Sequence, residues 1–220
     1  MNIDHALEQL EILYQHTRHQ DTGLIVHGYD GSKTAPWADP KTGASPIVWG
    51  RSQAWFTIGL VDALAMAETD EELKQTEAYK RLREIFNSLA SAEIQAIRKS
   101  AKDTGRYGVW QVFNLPGKDG NFVEASATAM HVYALAKGLR YGYIEDETKS
   151  VWKHLRQSQL SLSEADESIE DVLRATYEDL TNNFVNEQAN GTLNLEQTSV
   201  LSSLHVKDPS YEVSAQLLIR

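Results

Sequence analysis

At 220 residues, 41 % apolar and 24 % charged, the chain has ordinary globular composition and enough length to bury a sizeable core in one or two domains. A formal net charge of −10 argues against a nucleic-acid partner, since phosphate binding needs a basic face, but leaves room for a small anionic substrate held by one or two arginines. No cysteine is present, so disulfide and thiolate chemistry are excluded; no apolar run reaches the ~18 residues of a membrane span. The start, Met1-Asn2-Ile3-Asp4-His5, lacks the basic-then-apolar pattern of a signal peptide, and a soluble cytoplasmic protein is expected.

In chain order, Ile3, Leu7, Leu10, Tyr14 and Thr17 step by three and four, which predicts an amphipathic helix ending before Asp21-Thr22-Gly23. A long loop from Leu24 to about Ile47 carries Gly28, Gly31, Pro36, Pro40, Gly43 and Pro46. From Trp49 to Ala67 the chain is apolar nearly all round, with Asp62 its clearly charged position after Arg51, which predicts an interior helix without a wet face. The order then repeats. Tyr79, Leu82, Ile85, Phe86 and Leu89 stripe a second amphipathic helix over about 71–99, stopped at Asp103-Thr104-Gly105. A loop with Trp110 and Pro116 leads to a second interior helix over about 122–141, rich in small residues that permit close approach. Ile169, Val172, Leu173, Tyr177, Leu180 and Phe184 predict a third amphipathic helix, stopped at Asn190-Gly191, and 192–206 reads as extended.

Two copies and the start of a third of one unit are therefore present: amphipathic helix, stop, loop, apolar helix. Such self-similarity marks a repeat architecture. Outer helices alternating with inner ones predict an all-α fold, an (α/α)6 toroid of the six-hairpin type, here incomplete, with residues 1–220 as one partial barrel domain. A plain helical bundle is the alternative, but loops of ~20 residues are too long for simple connections and are usually functional.

The unusual residues collect in two loops. Trp37, Trp49 and Trp55 fall close together, with His27 before them and Arg51 among them. Tryptophan faces stack on sugar rings, and arginine makes a planar two-pronged contact with a carboxylate. Against this stands the plainer reading of the tryptophans as core and Arg51 as partner of a buried acid. Asp30 and Asp39 read as turn formers, and Glu124 as an acid favoured at a helix start by the dipole. His5, His16, His19, His131, His154 and His205 show no metal-ligand pattern, so no metal and no cofactor are expected.

The blocks Thr22-Gly23-Leu24-Ile25-Val26-His27-Gly28-Tyr29-Asp30, Trp37-Ala38-Asp39-Pro40 and Trp49-Gly50-Arg51 through Trp55 resemble glycoside hydrolase family 105, the unsaturated rhamnogalacturonyl and glucuronyl hydrolases. Gly108-Val109-Trp110-Gln111-Val112, the stretch from Asn121 to Met130, and Asn190-Gly191-Thr192-Leu193 fit the same family in the same order, so the resemblance spans about 6–212. It implies removal of a terminal unsaturated uronic acid from pectin-derived oligosaccharides by hydration. An acid protonates C4 of the C4=C5 vinyl ether, charge develops at C5 and the ring oxygen, water adds at C5, and the hemiketal opens to release the next sugar. Carried over by motif, His27, Trp49, Arg51, Trp55 and Trp110 would bind the substrate, with Arg51 on its carboxylate and Trp49 or Trp55 stacking.

The departures are specific. The family's acid/base aspartate is expected upstream of this chain, which leaves the catalytic residue unassigned. Ser52-Gln53-Ala54 replaces the usual alanine, polar residue and glycine, 145–174 is longer than usual, and the tyrosine-rich close after Tyr211-Glu212 is lacking. A sugar-binding remnant without its acid is therefore the competing function, and a helical scaffold without ligand a third.

Overall fold

The computed structural model describes residues 3–144 and 167–199. Among these, six helices and one two-stranded hairpin occur: α1 (Ile3–Thr17), α2 (Gly50–Ala67), α3 (Glu71–Lys74), α4 (Glu77–Thr104), α5 (Ala125–Arg140), α6 (Ile169–Phe184), β1 (Val185–Glu187) and β2 (Leu193–Leu195). α2 packs on α5 and α4, α5 on α6, and α4 touches both α1 and α6. The arrangement is two-layered, with α2 and α5 inside and α1, α4 and α6 outside, which is the hairpin order of a partial (α/α) toroid.

The core lies between the layers. Leu60, Val61 and Leu64 of α2 meet Ile85, Phe86, Leu89 and Ile97 of α4, Leu135 of α5 and Val172 of α6, all nearly or fully buried. Each such side chain contributes about 1.5–3 kcal/mol by leaving water. Small residues let the inner helices approach. A Cβ at Gly138 would stand 2.5 Å from the Phe86 ring, and one at Gly50 would stand 2.5 Å from the Trp110 carbonyl oxygen.

Four expectations need correction. The helix expected over 71–99 is two, because Asp70 caps α3 and the Thr76 hydroxyl accepts from Tyr79 N–H to start α4 afresh, which then runs to Thr104 and ends on left-handed Gly105. The second inner helix starts at Ala125 rather than near 122: the Asn121 amide is engaged by Val112 and Leu115, and Glu124 supplies the cap. Asn190-Gly191 does not stop the third amphipathic helix, which ends at Phe184; these residues turn the hairpin in which Val185 pairs with Leu195. Residues 200–206 of the expected extended segment lie outside the described residues.

The fourth concerns wetness. Both inner helices have an uncovered face, and on α2 it is apolar: Trp55, Gly59, Ala63 and Met66 are exposed at helical spacing, Met66 to 75 %. On α5 the exposed positions are Tyr133, Ala136 and Arg140. The α2 face continues into a groove of about 430 Å³ walled by Leu7, Leu10, Phe56, Leu60, Tyr79 and Leu82. Apolar periodicity reports what a helix is built to bury, not whether the described chain covers it. This apolar face is expected to drive concentration-dependent self-association, which replacing Ala63 and Met66 by lysine should reduce in sedimentation velocity; a wild type that stays monomeric, or association unchanged in the variant, would show that this face drives none.

At the centre sits a polar cluster. Glu93 of α4 and Gln53, Thr57 and His131 of the inner helices have no exposed surface. Glu93 Oε1 accepts from Gln53 Nε2 at 2.6 Å and from the Thr57 hydroxyl, and lies 3.9 Å from His131 Nε2. Burial raises the Glu93 carboxyl to about 7 and lowers the His131 imidazole to about 4. Stability from Glu93 is present below its unfolded value near 4.5 and is lost as pH rises through about 7. Stability from His131 is present above 6.5 and is lost as pH falls through about 4, so the two slopes oppose one another between 4.5 and 6.5. Glu93→Gln removes one slope. Its melting temperature relative to the wild type is expected to climb by several degrees from pH 5 to pH 8, and a constant difference would contradict the buried neutral carboxyl.

Candidate functional site

The loop before α2 is held open by its own side chains. The Asp30 carboxylate accepts from Ser32 Oγ and from the N–H groups of Ser32, Thr34 and Ala35. The Ser32 hydroxyl and the Ala35 N–H lead in pulling its pKa down to about 2. Asp39 accepts from Thr42 N and Lys41 N at 2.7 and 2.9 Å, which also lowers it, Thr42 contributing most. Both aspartates are turn formers, as their sequence context predicts, and neither is a proton donor near neutral pH.

The five expected binding residues do not form one cluster. His27 and Trp55 share a groove of about 680 Å³, with His16, Tyr29, Ser52 and Phe56 also in its wall. His27 Nδ1 lies 2.9 Å from the Ile47 carbonyl oxygen, an acceptor, so the neutral ring carries its hydrogen on Nδ1. The His16 and Tyr29 rings lie 4.7 Å apart, and the Trp55 indole is 63 % exposed. The groove is aromatic, imidazole-bearing and open to solvent.

Trp49 and Arg51 form a second cluster where the N-termini of α2 and α5 meet. The guanidinium lies over the Trp49 ring, 5.1 Å from its centroid. Arg51 Nη1 donates to the Ser199 carbonyl at 2.6 Å and to Ser126 Oγ at 3.2 Å, and stands 3.7 Å from Glu124 Oε1. Glu124, fully buried, accepts from Ala127 N at 2.5 Å as the α5 cap, from Ser126 Oγ, and from Ser199 N at 2.8 Å. A cation at a helix N-terminus opposes the dipole, and Glu124 offsets it. The expectation that Arg51 reaches into an open pocket for a carboxylate is therefore corrected: its side chain is 15 % exposed and bonded to protein. It lies one helical turn from Trp55, at i and i+4 on α2.

Trp110 belongs to neither cluster. It is 9 % exposed, donates its indole hydrogen to Ser100 Oγ at 2.8 Å and packs with Val123, Leu180 and Phe184. Its backbone pairs with Val123 in an isolated bridge, and its ring packs with Leu180 and Phe184 of α6. Sequence reasoning missed Glu124 as the partner of Arg51 and as the α5 cap, having read it as favoured by the helix dipole alone, and missed Tyr29, which lay inside the motif block. Nothing in the periodicity of α1 singled out His16.

The sequence profile of Glycosyl Hydrolase Family 88 matches residues 1–169, and the chain belongs to this family. Protein Atu3128 of Agrobacterium fabrum and the 24.9 kDa protein in picA locus of Rhizobium radiobacter are each 35 % identical to it over 144 residues. That stretch covers 64 % of this chain, and the chain spans only 56 % of the length of these curated relatives. The fold is similar to that of a family 105 glycoside hydrolase of C. acetobutylicum ATCC 824, at TM-score 0.68 and 27 % identity, over 96 % of this chain and 51 % of that one. A possible member of family 105 from Salmonella enterica shares the fold at TM-score 0.60 and 20 % identity, over 95 % of this chain and 43 % of that one. The resemblance to family 105 drawn from the motif blocks thus agrees with the structural neighbours.

The Arg51–Glu124 contact carries a prediction of its own. Glu124→Ala removes a helix cap and strands a mostly buried guanidinium, and is expected to cost roughly 3 kcal/mol, read as a fall of several degrees in Tm. The Arg51→Ala, Glu124→Ala double variant should lose less than the sum of the single variants in a thermal-unfolding cycle. Strict additivity would show that the two side chains are not coupled.

Proposed function

We propose that the chain, as one partial (α/α) barrel domain of residues 1–220, belongs to a cytoplasmic glycoside hydrolase acting on oligosaccharides that end in an unsaturated uronic acid, as in rhamnogalacturonan fragments of pectin. The observation that carries this reading is the groove in which His27 and Trp55 meet, in a chain of Glycosyl Hydrolase Family 88. Trp55 offers an exposed aromatic face to a sugar ring, and His27 and Tyr29 offer polar atoms to hydroxyl groups. In the proposed reaction a proton is delivered to C4, the cation at C5 is shared with the ring oxygen, water adds to C5, and collapse of the hemiketal expels the next sugar. No metal or cofactor takes part in this scheme.

Arg51 serves the proposal differently from the direct carboxylate contact implied by resemblance. With its guanidinium bonded to Ser199, Ser126 and Glu124, it fixes Trp49 and the start of α2, and so places Trp55 one turn further on.

One observation favours the second reading, a sugar-binding chain that does not turn over. Among the described residues that line the groove there is no carboxylate, and the nearby Asp30 and Asp39 are held ionised by turns. General acid catalysis typically contributes ~10²–10⁴-fold. Residues 1–220 are therefore expected to bind unsaturated rhamnogalacturonan disaccharide while the ultraviolet absorbance of its double bond persists. Trp55→Ala should weaken binding about three- to tenfold, measured by calorimetry, in line with the value of one aromatic contact. Rapid loss of the absorbance would refute the binding-only reading, and equal affinity of the Trp55→Ala variant would remove the groove from the proposal.

A further inference from the structure

Glu93 is an expensive residue where it stands. A carboxyl with no exposed surface, facing no lysine or arginine among its described contacts, destabilises a core unless its hydrogen bonds repay the lost solvation. An apolar side chain of similar volume would pack there more cheaply. What Glu93 supplies instead is direction. Its Oε1 accepts from Gln53 Nε2 at 2.6 Å, and an amide has distinguishable ends. With the nitrogen end committed to Glu93, the oxygen end of Gln53 is aimed the other way, where it accepts from the backbone N–H of Ile25 at 2.6 Å. A flipped amide would set its NH2 against the Ile25 N–H, donor against donor. The Ile25 N–H and Glu93 Oε1, at opposite ends of the amide, together fix which way Gln53 points.

Ile25 is the anchor of the loop that bears His27. It pairs with Arg18 in an isolated bridge, Val26 N donates to Thr17 O at 2.8 Å, and the Gln53 bond ties this same stretch to α2. Two residues later His27 enters the groove. On α2, Gln53 points inward without exposed surface while Trp55 points outward. One side chain thus sets the loop that carries His27 against the helix that carries Trp55.

We propose that Glu93 is a positioning residue which, through Gln53, latches the His27 loop to α2 and so sets the spacing of His27 and Trp55 across the groove. Its consequence for ligand binding rests on the carbohydrate reading above. The latch itself does not.

The test is hydrogen exchange of the full chain, comparing wild type, Glu93→Met and Glu93→Gln. Gln keeps an oxygen acceptor for Gln53 and Thr57; Met removes it. In Glu93→Met the Ile25 amide is expected to exchange at least ~10-fold faster, the loss of one buried hydrogen bond, while amides in the middle of α4 and α5 change less. In Glu93→Gln the Ile25 amide should stay within about threefold of wild type. Unchanged protection of Ile25 in Glu93→Met, or equal loss in Glu93→Gln, would overturn the proposal. If Glu93→Met does not fold, Glu93→Leu gives the same readout: selective loss at Ile25 supports the latch, and retained protection overturns it. Failure of both to fold would mark the cluster as core packing and overturn it too. A parallel titration with unsaturated rhamnogalacturonan disaccharide separates the two claims. Weaker binding in Glu93→Met, restored in Glu93→Gln, supports the link to the groove. A wild type that does not bind the disaccharide defeats the carbohydrate reading and leaves the latch to the exchange data.

Discussion

Gln53 stands where three elements meet, accepting from the Ile25 N–H and donating to Glu93, each at 2.6 Å and without exposed surface. Most contacts between α2 and its neighbours are apolar and non-directional, and such packing tolerates small slides of one helix along another. Hydrogen bonds that meet head-on at one amide do not. The groove wall depends on this. His27 is carried by the loop, Trp55 by α2, and the amide of Gln53 is the directional tie between the two. The polar cluster around it has a cost, since Glu93 stays neutral only by holding its proton to about pH 7 and His131 only by resisting one down to about pH 4.

A second directional tie operates at the top of the inner layer. Gly50 allows the α2 start to lie against the Trp110 carbonyl oxygen, and Arg51 then reaches across to Ser126 and Glu124 at the start of α5. Two helix N-termini brought together repel through their dipoles, and a buried carboxylate capping one of them while facing the arginine of the other relieves this. The cation–π contact with Trp49 belongs to the same arrangement. An arginine in this position organises a site without projecting into it.

Much of this architecture was legible in the sequence for definite reasons. Steps of three and four marked α1, α4 and α6, the all-round apolar run from Trp49 to Ala67 marked α2, and Gly105 ended α4 at the expected stop. Less legible was anything decided by a side chain reaching a distant backbone. Thr76 restarts a helix that composition would have continued, and Asn121 delays α5 by holding Val112. The site was legible as a set of residues but not as a geometry. Trp49, Arg51 and Trp55 lie within seven positions of one another, yet one rides on a cation, one is bonded into protein and one faces solvent. Trp110 packs beside α6 with its indole hydrogen on Ser100, and motif order says nothing of which way an indole turns. The Glu93–Gln53–Ile25 chain joins residues 28 and 40 positions apart by single polar bonds, and no local pattern encodes such a link.

The central claim is that the groove walled by His27 and Trp55 receives the carbohydrate. Its most direct measurement is the spectrum of the tryptophan indole N–H groups, titrated with unsaturated rhamnogalacturonan disaccharide and assigned by single substitutions. Trp55 should shift most, Trp49 less through Arg51, and Trp110, held on Ser100 within the core, should not move. A dominant shift at Trp110, or no shift at Trp55 at saturating disaccharide, would contradict the account.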